Sequence, residues 1–411
     1  MDIMTALISR EGDLERLRRW RDKDMIKVVT GVRRCGKSTL LSMFATELLA
    51  GGVPSDHIVS LHMEDMSVSH LLRDPQAFYH HIAEQLPPQS KSYLFIDEIQ
   101  LVESFETALN GLTLKFNVDI YLTGSNAQML SSDLATRLSG RYVEIHLLPL
   151  SYIEFAEARQ GRGSPTEDLS FPGLYASFMN HGGFPFIQEL IGSPQATKDY
   201  LEGIISTILI KDVSIRQKIG NVSLLTDVTS FLFSNIGSLT SLRRISDSLG
   251  THGRKPAATT IDSYIDGLVD AFVVYPVRRW DVKGLRYLTG PDKYYAVDTG
   301  MRNTLVGYTG GDSGHLLENI VYLELRRRNP HVSIGSVPSG EVDFVTVDGA
   351  HHAYYQVCQS VRTPETLARE LASLQAIKDN HPKYLLTLDA EPPISHNGIQ
   401  QIYVLDWLRY P

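Results

Sequence analysis

The first third of the chain alternates between two hydrophobic rhythms. Short, nearly continuous apolar runs at residues 25–30, 57–63, 93–96 and 119–123 carry β-branched and aromatic members and end in small or charged residues. Runs of this length and kind predict strands buried on both faces of a sheet. Between them apolar residues recur at helical spacing, as in residues 39–44 directly after the first run. Ahead of the first strand, Leu14, Leu17 and Trp20 share one side of a stretch whose other side carries arginines, which predicts an amphipathic helix packed on the core. Strand and helix in alternation make residues 1–160 an α/β domain with a largely parallel sheet.

Past that point the pattern changes. Residues 161–166 (Gly-Arg-Gly-Ser-Pro-Thr) read as a loop, residues 175–179 as a helix, and Gly182-Gly183-Phe184-Pro185 as a turn. Another helix passes through residues 208–213, so 161–221 reads as a helical linker. In 222–309, Leu242, Ile245 and Leu249 form an apolar helix face that Gly250 ends, and a second helix starting at Thr260 continues through Leu268 and Val269. A hairpin follows, from residues 272–275 to 294–297, with Arg278, Arg279, Lys283 and Arg286 near its tip. Residues 310–411 form a further α/β segment: a helix with Leu317, Glu318, Ile320, Leu323 and Leu325, then strands at 341–345 and 354–358.

At 411 residues, 43% hydrophobic and 21% charged, the chain has the size of two or three globular domains. No apolar run approaches the roughly twenty residues that cross a bilayer, and residues 1–10 lack the features of a secretory leader, so a cytoplasmic location without membrane contact is expected. Two cysteines, Cys35 and Cys358, make neither a disulfide framework nor a cysteine-rich zinc site. A net charge of −8 argues against binding polyanions over the whole surface and leaves room for a local basic face.

The chemistry begins directly after the first strand. Residues 31–38 read Gly-Val-Arg-Arg-Cys-Gly-Lys-Ser, a full match to the phosphate-cradling pattern G-x-x-x-x-G-K-[ST] between a strand and a helix. Gly31 and Gly36 permit backbone angles that point successive N–H groups at phosphate oxygens around the positive helix end. Lys37 supplies a charge for the β- and γ-phosphates, and the Ser38 hydroxyl is the expected magnesium ligand. Val32, Arg33, Arg34, Cys35 and Thr39 complete the nucleotide-binding set; the two arginines add positive potential, and modification of Cys35 is expected to block nucleotide entry. The run ending at Asp97 and Glu98 puts two carboxylates at the C-terminal edge of the sheet, where Asp97 is expected to hold magnesium and Glu98 to take a proton from water. Glu64, at the end of another strand, is a candidate switch residue.

In this order the elements resemble the ATPases of the AAA+ superfamily. Residues 134–143 (Leu-Ala-Thr-Arg-Leu-Ser-Gly-Arg-Tyr-Val), running on to 148–151, resemble one prokaryotic branch of it, with an AAA-type core, a winged-helix segment and a C-terminal domain related to the PD-(D/E)XK nuclease fold. The resemblance implies ATP and Mg2+ as ligands, Ser125 or Asn126 as the residue that orients the attacking water, and Arg137 or Arg141 as an arginine presented to a neighbouring copy in a homo-oligomer. It also implies a winged helix in 222–309 and DNA as a candidate partner. Arg243, Arg244, Arg254 and Lys255 support that partner, whereas Asp262, Asp266 and Asp270 on the second helix oppose it and favour a nucleotide-controlled switch acting on a protein. In the C-terminal segment Glu341 and Asp343 share a strand face, but Gln356 and Cys358 stand where the nuclease pattern has an acid and a lysine. Nuclease activity is therefore expected to be weak or absent.

Overall fold

The computed structural model describes residues 7–125, 138, 140–162, 167–250, 255–338 and 340–409. The chain divides into two compact units, one of residues 1–147 with 270–272 and one of residues 148–269 with 273–411.

The first unit is built on strands β1 (Ile26–Thr30), β2 (Ile58–His62), β3 (Ser92–Asp97), β4 (Val118–Gly124) and β5 (Tyr142–His146). They lie in the order β2-β3-β4-β1-β5, and every neighbouring pair is parallel. This is the α/β class with a parallel sheet that the apolar runs predict. All of β1 and all but the last residue of β3 are buried, as strands covered on both faces require. β2, at the sheet edge, instead alternates, with Val59 and Leu61 buried and Ser60 and His62 exposed. The helix after β1, Lys37–Ala50, is fastened to the sheet by Phe44, whose ring lies 5.2 Å from Tyr121, itself stacked on Phe95 at 5.0 Å. Toward the opposite end of β1 and β4, Lys27 and Asp119 form a fully buried ion pair, and Tyr121 donates to the same carboxylate at 2.9 Å. Burial pushes the Lys27 ammonium down and Asp119 pulls it back up. Because the strands are parallel, Thr30, Asp97 and Gly124 end on one edge, and the chemistry gathers there.

The second unit starts with helices. Tyr152–Gln160 opens with a reciprocal cap between Ser151 and Glu154, Phe171–His181 follows, and Pro194–Thr207 runs on as a π-helical turn, Ile208–Ile215. Helices Val222–Ser234, Leu242–Leu249 and Ala258–Asp270 come next. Asp298 caps helix Thr299–Val306 by accepting the Met301 N–H at 2.8 Å, and its other oxygen accepts the Gly183 N–H at 2.6 Å. This explains the glycine pair in the turn, because a Cβ on Gly182 would stand 2.1 Å from the Asp298 carboxylate. Burial lifts the Asp298 carboxyl from its ordinary 3.8 to about 6 despite those hydrogen bonds.

The expected hairpin forms as β6 (Val274–Val277) and β9 (Lys293–Ala296), paired antiparallel with Val274 opposite Ala296. Its tip is not a loose basic loop. Residues 279–287 make two further strands, β7 (Arg279–Asp281) and β8 (Arg286–Tyr287), that extend a sheet built from C-terminal residues. That sheet holds β10 (Val332–Val337), β11 (Gly340–Asp348), β12 (His351–Cys358), β13 (Lys383–Thr387), β14 (Ile394–His396) and β15 (Ile399–Tyr403), in the order β14-β15-β13-β12-β11-β10-β7-β8. An uncovered β10 edge would leave a row of unpaired backbone groups; β7 pairs with it in parallel, and Trp280 packs on Tyr287 with ring centroids 4.9 Å apart. Helix Ser313–Arg328 packs against the same sheet and carries Tyr322, stacked on Tyr295 at 4.4 Å.

Candidate functional site

The loop after β1 and helix Lys37–Ala50 form a surface ready for an anion. Gly36 has φ 107°, and the helix has no side-chain cap and no acid in its first turn, so its own side chains do not offset the positive charge of its N-terminal end. Lys37 is 5% exposed and donates to the carbonyls of Gly31 at 2.9 Å and Val32 at 3.1 Å, which uses two of its three N–H groups. Gly31 adopts φ 145°, a backbone angle that calls for glycine, and it also permits a close approach: a Cβ there would meet the Leu147 carbonyl oxygen at 2.2 Å, so the residue lets the loop pack on the chain after β5. Cys35 is a further correction. Its side chain is fully buried and burial pushes its thiol up, so it is poorly placed to react and block the loop. Arg10, missed from the sequence because it precedes every motif, holds this loop from beneath by donating to the Cys35 carbonyl at 3.3 Å.

Opposite the loop, Asp97 is drawn toward Ser38, whose Oγ lies 2.9 Å from both carboxylate oxygens. Thr123 Oγ1 also donates to Asp97 and accepts the backbone N–H of Glu98 at 2.9 Å, which joins the two acids to β4. His62 Nδ1 lies 3.2 Å from Asp97. Neither Thr123 nor His62 stood out in the sequence, although a threonine and a histidine closing apolar strands beside an acidic strand end are the signal that could have found them. A hydroxyl and a carboxylate meeting beside a helix N-terminus are the donor set a hard divalent cation takes, so these residues fit magnesium.

Glu98 has φ 55°, the left-handed region in which a non-glycine residue is strained. Its carboxylate is held from two sides: Ser125 Oγ donates to Oε1 at 2.8 Å, and the Gln100 amide donates to Oε2. The structure thus brings Lys37, Ser38, Asp97, Glu98 and Ser125 to one edge. Arg34 and Thr39 are exposed, and Arg33 lies 3.7 Å from Glu64, which is mostly exposed. Arg141 is exposed before β5. Asn126, Arg137 and Arg254 lie outside the described residues.

A second acidic group lies in the other unit. Glu318 of helix Ser313–Arg328 and Glu341 of β11 converge on Lys293 of β9, whose Nζ is 3.3 Å from the first and 2.5 Å from the second. Tyr295 donates to Glu318 at 2.6 Å, and the Val357 N–H donates to Asp343 at 2.8 Å. Burial opposes the Lys293 charge, but the Glu318, Asp343 and Glu341 carboxylates outweigh it and push the ammonium up. Burial and then the charge of Glu318 push the Asp343 carboxyl well above the usual range, against the pull of Lys293. Gln356 donates to Glu370 at 2.9 Å and accepts from Ser373 at 3.3 Å, and the Cys358 thiol turns to the Ser360 carbonyl. Among the described residues no group of three or more His, Cys, Asp or Glu side chains is arranged to hold a metal ion.

The comparisons agree with the first unit's geometry. A family model described as an AAA domain matches residues 23–156, and one for a domain of unknown function matches residues 173–312. An uncharacterized protein of Haemophilus influenzae is 38% identical over 405 residues, 98% of this chain and 99% of that one. The chain belongs to the same family, with an AAA domain in its N-terminal part. An uncharacterized protein of Methanocaldococcus jannaschii is 28% identical over 364 residues, 86% of this chain and 79% of its own length. Among solved structures, a Walker-type ATPase of Pyrococcus abyssi aligns with a TM-score of 0.51 at 16% identity, covering 73% of this chain and 96% of that one. At that identity the likeness is one of fold, and the fold is the P-loop AAA-type core. Among the described residues no helix is long and apolar enough to cross a membrane.

Proposed function

We propose that the chain binds ATP with magnesium, hydrolyses it to ADP and phosphate, and couples this to binding or remodelling DNA. The observation that carries the reading is the meeting of Ser38 and Asp97 at 2.9 Å beside an uncapped helix N-terminus, with Glu98 next to them. In this reading the N–H groups from Gly31 to Thr39 cradle the phosphates, and Lys37 turns its ammonium from the loop carbonyls to them. Ser38 and Asp97 hold magnesium, which when bound offsets phosphate charge. Glu98 accepts the proton of the attacking water, and Ser125 or Asn126 orients that water. Arg137 or Arg141 reaches the γ-phosphate of a neighbouring copy in a homo-oligomer. Residues 1–160 are the ATPase domain, 161–221 a linker, 222–309 a winged helix and 310–411 a nuclease-like domain that no longer cuts.

One observation favours a protein partner in place of DNA. Asp247 lies beside both Arg243 and Lys255, and Asp281 lies 3.8 Å from Arg286, so the basic candidates are partly neutralised by their own neighbours. Phosphate release by the full chain, with and without DNA and from about 50 to 200 mM salt, decides between them. Stimulation that falls steeply with salt supports DNA; turnover indifferent to DNA leaves the protein-directed switch. Lys37→Ala should weaken binding of a fluorescent ATP analogue by about 100-fold or more. Unchanged binding by that variant would remove the loop from the reading.

A further inference from the structure

The two acids after β3 meet at one hydroxyl. β4 lies between β3 and β1, which enters the phosphate loop, and Thr123, one residue before the end of β4, is fully buried. Its Oγ1 donates to Asp97 Oδ1 and accepts the Glu98 N–H at 2.9 Å. A carboxylate only accepts and a backbone N–H only donates, so the direction of both bonds is fixed, from Glu98 through Thr123 to Asp97. What Thr123 holds at Glu98 is a conformation that a residue with a Cβ disfavours, φ 55°. β3 ends at Asp97, so the Glu98 N–H lies past the strand ladder and is taken by the threonine hydroxyl instead. In that turn the Glu98 carboxylate meets Ser125 Oγ at 2.8 Å.

We propose that Thr123 is a positioning residue that locks the metal-holding acid to the proton-accepting one: its O–H fixes Asp97 for magnesium, and its oxygen keeps Glu98 in the left-handed turn. This rests on the ATPase reading above. Thr123 acts only through the two acids. Without its O–H, Asp97 loses one of the donors that set the plane of the carboxylate, leaving Ser38 and His62. Outer partners of a metal-holding carboxylate govern metal affinity by about 10- to 100-fold. Without its oxygen, the Glu98 N–H loses its acceptor, and the backbone relaxes toward a commoner φ that carries the carboxylate away from Ser125. One missing hydroxyl therefore damages metal binding and proton transfer together.

The test compares the full chain with its variants Thr123→Val, Thr123→Ala and Thr123→Ser. Mn2+ is the metal probe, its binding beside a non-hydrolysable ATP analogue read from the electron paramagnetic resonance of the free ion. ATP turnover, binding of a fluorescent ATP analogue in EDTA and thermal melting are followed in parallel. Valine copies the shape without the hydroxyl, and alanine serves if the valine variant does not fold. Either should weaken Mn2+ binding and, at saturating magnesium, lower kcat, each by about 10- to 100-fold. Analogue binding in EDTA should stay within about twofold of the parent, because the phosphate loop is untouched. Serine keeps the hydroxyl and loses only a methyl group, so it should bring Mn2+ affinity and kcat back to within about threefold of the parent. In a Glu98→Gln background at saturating magnesium, Thr123→Val should cost no further turnover, because what remains of its effect runs through Glu98. Unchanged Mn2+ affinity or unchanged kcat in the folded valine or alanine variant, or a serine variant no better than alanine, overturns the assignment while leaving the ATPase reading in place. A folded parent that binds the analogue without turning over ATP removes both.

Discussion

The chain carries two clusters of carboxylates, and they differ in who supplies the positive charge. At the C-terminal edge of the parallel sheet, Asp97 and Glu98 are held by the Ser38, Thr123 and Ser125 hydroxyls and the Gln100 amide, with the His62 imidazole beside Asp97, while the Lys37 ammonium rests on the Gly31 and Val32 carbonyls. In the second unit Glu318 and Glu341 already close on Lys293, which is 6% exposed. Neutral donors orient carboxylates without cancelling their charge, so the first cluster keeps its attraction for a cation. A buried ammonium cancels charge permanently and occupies the space between the acids. Acids in a row are therefore a poor guide to a metal site until the protein's own counter-charge is located.

The largest way to break this contrast is at the first cluster. Glu98→Gln should keep nucleotide affinity and lower turnover by about 10²- to 10⁴-fold, read from phosphate release beside an ATP-binding titration. Equal turnover by variant and parent would mean that the orientation of Glu98 serves something other than proton transfer. At the second cluster Lys293→Met removes the internal cation and leaves Glu318 and Glu341 facing each other. Urea unfolding should show a loss of about 3–5 kcal/mol, with nucleotide affinity unmoved. A variant as stable as the parent would show that the lysine is not the counter-charge.

A smaller effect separates Asp298, a buried acid held by backbone N–H groups, from both clusters. Asp298 is protonated more readily in the folded chain, at about 6, than at its ordinary 3.8. Its contribution to stability is therefore fully present at low pH and is lost as pH rises through about 6, a difference of about 3 kcal/mol in this one group. The difference between the parent and Asp298→Asn in urea midpoints across pH 4 to 8 isolates it; a difference independent of pH would contradict the burial effect. The smallest effect is expected for catalysis at the second cluster, where Asp343→Ala should leave magnesium-dependent DNA cleavage at background, as in the parent. Parent cleavage that disappears in that variant would show a metal displacing Lys293.

Much of the first unit could be read along the chain, because its determinants are local. A strand buried on both faces has to be apolar throughout, a tight anion-binding loop has to place its glycines, lysine and serine at set intervals, and the acids after β3 follow their own strand. Thus β1, β3, β4, the loop and the acidic pair were found to within a residue or two. What only the tertiary structure decided are contacts between side chains far apart in sequence, or backbone choices that composition does not reveal. The left-handed turn at Glu98 that presents Gln100, the reach of Thr123 and Arg10 into the site, the packing of Gly31 on Leu147, and the attachment of β7 to β10 are of this kind. So is the position of Lys293, which is an ordinary lysine in an ordinary strand until helix Ser313–Arg328 and β11 fold over it and bring their acids to its ammonium. Periodicity reports which face of an element is buried, whereas pairing of charges depends on which elements meet, and only the folded chain settles that.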